Sequence, residues 1–196
     1  MYDVLDGVRV VEVAMWAFVP AAGAVLADWG ADVVKVAHPE YGDPMRGTPV
    51  GGLPPLEQGP AFMWEILNRG KRSLALDLAN PDSRPVLADL VRRADVFLTS
   101  FLAAARKRLK IEVEDIRAIN PDIIYARGSG HGVRGPEREQ GGYDHTSFWA
   151  RSGLAHATSM VTDEFIPHPM VAGYPTRDAR QVYLAGMLTD VAGAVL

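Results

Sequence analysis

The sequence contains no cysteine, which excludes a disulfide framework and thiolate chemistry. It has no run of about 18 uncharged apolar residues, so no segment reads as a membrane span. The first residues, Met1-Tyr2-Asp3-Val4-Leu5-Asp6, lack the basic and apolar regions of a secretory signal. A cytoplasmic protein is therefore expected, with no membrane partner. A net charge of −4 argues against a nucleic-acid surface. The five histidines, at 38, 131, 145, 156 and 168, include no i, i+4 pair and no His-x-His, so no metal is expected. Neither the phosphate-loop pattern G-x-x-x-x-G-K-[ST] nor the nucleophile-elbow pattern G-x-S-x-G occurs.

What is present is the composition of a globular domain: 196 residues, 48% hydrophobic and 22% charged. Short β-branched runs alternate with helical periodicity. Strands are expected at 8–13, 32–36, 72–76, 96–99 and 123–127. In the helix expected at 20–29, Ala22, Val25, Leu26 and Trp29 share one face, and Gly30 is placed to end it. A second clear helix is expected at 81–93, with Asn80 as cap and Pro81 at its first position. Shorter helical pieces are expected at 62–67, 103–109 and 113–119, and a long loop at 37–60. This alternation implies an α/β fold: βαβ units, a mostly parallel sheet and helices on both faces. Ligands of such sheets bind beyond the carboxyl ends of the strands.

Three stretches carry candidate chemistry. In Gly141-Gly142-Tyr143-Asp144-His145-Thr146-Ser147-Phe148, a glycine-rich turn runs into a short helix. Asp144 stands at its N-cap, and Tyr143 and Phe148 have staple spacing. Asp144 reads either as a cap or as a nucleophile. The turn Gly128-Ser129-Gly130-His131-Gly132 follows the fifth strand and offers backbone N–H groups to a carboxylate or oxyanion. Its overlap with G-x-G-x-x-G does not read as a dinucleotide fingerprint, because Pro136 and a charged run follow instead of a helix. Two basic clusters, Asn68-Arg69-Gly70-Lys71-Arg72-Ser73 and Arg106/Lys107/Arg108/Lys110, point to a multiply phosphorylated small ligand. Finally, Leu184, Met187, Leu188, Val191 and Val195 form an apolar helix face running to Leu196. Residues 1–180 therefore read as one α/β domain, and 181–196 as the start of a helix leading to a second domain or partner chain.

Several blocks in order resemble the N-terminal half of the family III CoA-transferases, the group that includes formyl-CoA and crotonobetainyl-CoA transferases and α-methylacyl-CoA racemases. They are Leu5-Asp6-Gly7-Val8-Arg9-Val10-Val11-Glu12, Leu26 to Val36, Asn68 to Leu78, Arg92-Arg93-Ala94-Asp95-Val96, Ala118-Ile119-Asn120-Pro121 and Gly142-Tyr143-Asp144. The resemblance implies a Rossmann-like large domain of an interlocked assembly, here read as truncated. It implies coenzyme A as substrate thioester, with Asp144 as the nucleophile that exchanges CoA between an acyl-CoA and a carboxylic acid. It places Gly128, Ser129, Gly130, His131 and Gly132 beside the reacting carbonyl. The CoA site it implies consists of His38, Asn68, Arg69, Lys71, Arg72, Phe101 and Arg108. It also implies a homodimer, or a heteromer with a complementary chain. Racemases of this group carry a histidine before the aspartate, where this chain has Tyr143. A racemase or isomerase, and a non-catalytic acyl-CoA-binding subunit, are the alternatives.

Overall fold

The computed structural model describes residues 3–46, 61–143, 146–147 and 150–152. Five parallel strands form one sheet: β1 (Arg9–Val13), β2 (Asp32–Ala37), β3 (Arg72–Ala75), β4 (Val96–Thr99) and β5 (Ile124–Arg127), in the order β3-β2-β1-β4-β5. The helices are α1 (Phe18–Asp28), α2 (Phe62–Asn68), α3 (Arg84–Arg92), α4 (Ala103–Leu109) and α5 (Val113–Arg117). The expected parallel α/β architecture is thus the observed one. The strand order reverses between β1 and β4, which makes the carboxyl ends of these two strands the topological switch point.

Strand alternation divides the core into two layers. Val11 and Val13 of β1, Val36 of β2 and Phe97 of β4 pack with Leu87 and Val91 of α3 and with Ile111 and Ile116. Val10, Val33 and Leu98 face the other way, against Val19 and Ala27 of α1. Phe97, Leu87, Val91, Ile111 and Ile116 are at most 1% exposed. Each such side chain contributes about 1.5–3 kcal/mol by leaving water.

Gly30 ends α1 as expected. It adopts φ +102°, its N–H reaches the Ala27 carbonyl, and the N–H of Ala31 reaches that of Leu26. These two bonds and the left-handed glycine form a Schellman stop. The helix expected over 81–93 is instead a 3-10 turn, Pro81–Ser83, followed by α3. Pro85 is the reason: a continuous α-helix from Pro81 would need its N–H as a donor to the Pro81 carbonyl, and proline has none. Asn80 does cap this turn, its side-chain oxygen accepting the N–H of Asp82 at 3.0 Å.

Among the described residues, no helix is long and apolar enough to cross a membrane. The helix expected over 181–196 lies outside the described residues.

Candidate functional site

Four loops meet beyond the carboxyl ends of the strands. After β1, the N–H of Met15 donates to Ser100 Oγ at 3.0 Å, and that hydroxyl donates back to the Met15 carbonyl at 3.3 Å. This tie bridges the loops of β1 and β4 at the switch point. After β5, the N–H of Gly128 donates to the Thr99 carbonyl at 3.0 Å, continuing the ladder one residue beyond the strand. A Cβ on Gly128 would fall 2.8 Å from Phe18 Cδ1 and inside contact distance of Val19, so the turn sits against the start of α1 only as glycine.

The 128–132 turn is brought against the stretch around Asp144. A Cβ on Gly130 would meet Gly142 Cα at 2.8 Å and Ser147 Oγ at 2.9 Å. Ser147 Oγ lies 3.4 Å from His131 Nε2. An open depression of about 380 Å³ is lined by Gly130, His131, Arg134, Pro136, Glu137, Ser147 and Arg151. The ring of Tyr143 meets that of Trp16 edge-on, with centroids 5.3 Å apart.

The Tyr143 carbonyl accepts the N–H groups of Thr146 and Ser147 at 3.0 and 2.8 Å, while Thr146 Oγ1 accepts the Tyr143 N–H at 3.0 Å. A carbonyl accepting from four residues on, with its own N–H held by the side chain three residues on, is half of a capping box. Here it is centred on Tyr143, one residue before the expected cap. Asp144, the expected nucleophile, and Phe148 lie outside the described residues, but the neighbours Tyr143, Thr146 and Ser147 stand at this edge.

The expected CoA residues fall into three groups. His38 follows β2 at the same edge. Its Nδ1 accepts the N–H groups of Glu40 and Tyr41 at 3.1 and 3.3 Å, and its ring stacks on Tyr41. Phe101 follows β4, with its carbonyl accepting from Arg106 at 2.5 Å. Arg108 on α4 is exposed.

Asn68 and Lys71 turn inward. Lys71 Nζ donates to the carbonyls of Pro20 and Leu67 at 2.7 and 2.9 Å and to Asn68 Oδ1 at 3.1 Å. It also pairs with Glu12 at 2.7 Å, and its side chain is 2% exposed. Burial is the largest influence on its pKa and lowers it to about 8, against the opposing pull of Glu12.

Arg69 and Arg72 point away from the site. Arg69 pairs with Asp28 at the end of α1. Arg72 pairs with Asp32 at the start of β2, and its own strand begins there. Both arginines therefore stand at the amino edge of the sheet, opposite His38, Phe101 and the 128–132 turn. One run of sequence, Asn68 to Ser73, thus serves two ends of the molecule. The side chains of this basic run therefore divide, Lys71 with Glu12 inside and Arg69 and Arg72 with Asp28 and Asp32 at the amino edge.

Sequence reasoning passed over a buried charge cluster. Glu12 on β1 and Lys35 on β2 are register partners flanked by valines, at 0% and 2% exposure. Lys35 Nζ lies 3.1 Å from Glu12 and 2.9 Å from Asp43, and it donates to the Ala14 carbonyl at 3.0 Å. With Lys71 the cluster holds two cations and two carboxylates. It sits on the α1 side of the sheet, where Gly23 makes room: a Cβ there would overlap the Glu12 carboxylate. A charge in the interior of each of two adjacent strands, between valines, was the available signal.

This geometry can be set beside known proteins. The model of CoA-transferase family III matches residues 5–194. The chain belongs to that family. The family III chain is 37% identical, over 89% of its length, to the succinate–glutarate CoA-transferase of Agrobacterium fabrum. It is 30% identical, over 94%, to the cinnamoyl-CoA:phenyllactate CoA-transferase of Clostridium sporogenes. These matches cover 43% and 44% of the two relatives, so the family III chain spans less than half their length. A solved CaiB/BaiF family protein from Brucella suis superposes with a TM-score of 0.68 at 29% identity, covering 96% of this chain and 49% of that one.

Proposed function

We propose that the protein moves CoA between an acyl-CoA thioester and a free carboxylic acid, with Asp144 as the covalent nucleophile. The observation that carries this reading is the meeting, at the carboxyl edge of the sheet, of the Gly128–Gly132 turn with Gly142 and Ser147, and of Trp16 with Tyr143; Gly142, Tyr143 and Ser147 flank Asp144 in sequence. Family membership supplies the reaction class.

In this reaction the Asp144 carboxylate attacks the thioester carbonyl. The C–S bond breaks, CoA leaves as thiolate, and an acyl–aspartyl anhydride remains. The thiolate then attacks the aspartyl carbonyl of that anhydride. The first acid departs as carboxylate, and an aspartyl-CoA thioester is left. An incoming carboxylate reverses both steps, releasing a new acyl-CoA and restoring Asp144. Covalent catalysis of this kind divides one difficult exchange into easier steps. With Gly128 N–H anchoring the turn to the Thr99 carbonyl, the backbone N–H groups of residues 129–132 are suited to the oxyanion that forms at each attack.

CoA contacts are assigned to His38, Phe101 and Arg108, which flank or follow this edge, whereas Asn68 and Lys71 shape its floor. Arg69 and Arg72, at the opposite edge, are engaged by Asp28 and Asp32. The remainder of the site comes from a further stretch of chain or from a partner, as a homodimer or a heteromer, because this chain spans less than half of its relatives.

The test is transfer of labelled CoA from an acyl-CoA to a free acid, measured for the wild type and Asp144→Asn. Asparagine caps a helix about as well as aspartate, so folding should persist. It forms no anhydride, so transfer should vanish. Near-normal turnover by Asp144→Asn removes Asp144 from the mechanism. Absence of transfer by the wild type, with CoA esters bound, favours the non-catalytic binding reading.

A further inference from the structure

The turn after β1 is gripped at two points from below. Lys35 Nζ holds the carbonyl of Ala14 at 3.0 Å, and Asp43 Oδ1 accepts the N–H of Trp16 at 3.2 Å. The same Asp43 oxygen accepts the N–H of Met45 at 3.0 Å, while its Oδ2 pairs with Lys35 at 2.9 Å. Asp43 is 3% exposed, so its carboxylate is shielded from water and fixed by these three partners.

The residue it holds is unusual. Trp16 has φ +68°, in the left-handed region that favours glycine. A bulky side chain remains in such a conformation only where its surroundings over-determine it, and residues of this kind cluster at functional sites. The indole it carries lies edge-on against Tyr143 at 5.3 Å. A buried carboxylate and a left-handed tryptophan are both costly, and they meet at the turn after β1. Apolar packing and a glycine would build a turn of ordinary stability there.

We propose that Asp43 is a positioning residue for the transfer chemistry: it holds Trp16 in its left-handed turn, and Trp16 holds Tyr143, the residue preceding Asp144. The inference rests on the transferase reading above and deepens it. Asp43 itself touches no reacting atom. Lys35, itself paired with Glu12, holds the Asp43 carboxylate from the sheet side, which explains why charges interrupt β1 and β2 under this turn and nowhere else among the described strand positions facing α1.

A double-mutant cycle on the whole protein tests it. Asp43→Ala and Trp16→Gly are each expected to lower kcat/KM for CoA transfer by about tenfold or more. The double variant should fall no more than about twofold below the worse single one, since the two residues act in series. Independent effects, which multiply to about a hundredfold, overturn the proposal, as does unchanged kcat/KM in Trp16→Gly. If Asp43→Ala does not fold, Asp43→Asn is measured instead: it keeps the acceptor for the Trp16 N–H, so kcat/KM is expected to stay within about threefold of the wild type, and a fall of about tenfold or more overturns the proposal.

A second measurement is independent of turnover. Amide hydrogen exchange at Tyr143, Thr146 and Ser147 should quicken by about tenfold in each single variant, with the amides of β4 unchanged. Unchanged rates at Tyr143 to Ser147 overturn the proposal even where activity falls. If the wild type transfers no CoA but those amides do quicken, the positioning role stands and the transferase reading falls.

Discussion

Replacing Glu12 by glutamine is the sharpest perturbation of the fold beneath the site. Glu12 is fully buried, with one carboxylate oxygen 2.7 Å from Lys71 and the other 3.1 Å from Lys35. Glutamine keeps the shape but carries no charge, and its amide N–H group faces one of the two ammonium groups. Asp43 would remain as the single carboxylate among two buried cations. Removing one partner of a buried pair costs about 3–5 kcal/mol. The lower end is expected here, because Lys71 has a ready escape. Its pKa already stands near 8, and without Glu12 it falls further, so that it sheds its proton near neutral pH and limits the loss. A destabilisation of about 3 kcal/mol corresponds to a fall in Tm of roughly 6–12 °C for a chain of this size. Adding Lys71→Met restores one cation to one carboxylate, and the double variant should be more stable than Glu12→Gln by about 1–2 kcal/mol. Urea unfolding of the wild type, both single variants and the double one measures this directly. A loss below about 1 kcal/mol in Glu12→Gln, or a double variant as unstable as the sum of the singles, refutes the electrostatic reading of the cluster.

Three further outcomes follow from the same geometry. The pKa of Lys71 is about 8 in the folded chain and 10.5 for a free lysine, so between these values the unfolded chain holds more protons and stability from this group rises with pH. From pH 7.5 to 9.5 the wild type should gain about 2 kcal/mol relative to Lys71→Met in urea unfolding; no relative gain contradicts the burial assigned to Lys71. Gly128→Ala should cost about 1–3 kcal/mol and lower transfer, because its Cβ would meet Phe18 and Val19, whereas unchanged unfolding would show that the turn can shift freely. Asp144→Asn should keep wild-type stability within about 1 kcal/mol while abolishing CoA transfer, as judged by urea unfolding and the labelled-CoA assay together.

The sheet was legible because its strands are short β-branched runs in a chain with clear helical alternation. Val96–Thr99 and Ala103–Leu109 fall where the pattern places them. Pro85 was visible too, yet its effect depends on register: within the first three residues after Asn80 it would have been harmless, and here it splits the element. The site was legible only where the sequence is continuous. The Gly128–Gly132 turn and the stretch up to Tyr143 stood out as glycine-rich segments, and they meet. The basic run Asn68 to Ser73 divides its side chains, because adjacency in sequence says nothing about side-chain direction across a helix-to-strand reversal. Asp43 and Trp16 left no local signal at all. Their contact spans 27 residues and depends on a left-handed turn that no residue preference announces in a tryptophan.

The central claim is that a carboxylate at position 144 carries the acyl group and then CoA. Incubating the protein, in its complete assembly, with an acyl-CoA and hydroxylamine converts an activated aspartyl group to a stable hydroxamate, which peptide mass spectrometry locates. The expected result is the modification on Asp144, dependent on acyl-CoA and absent from Asp144→Asn. A hydroxamate on Asp163, Asp178 or Asp190 instead, with Asp144 unmodified, contradicts the assignment.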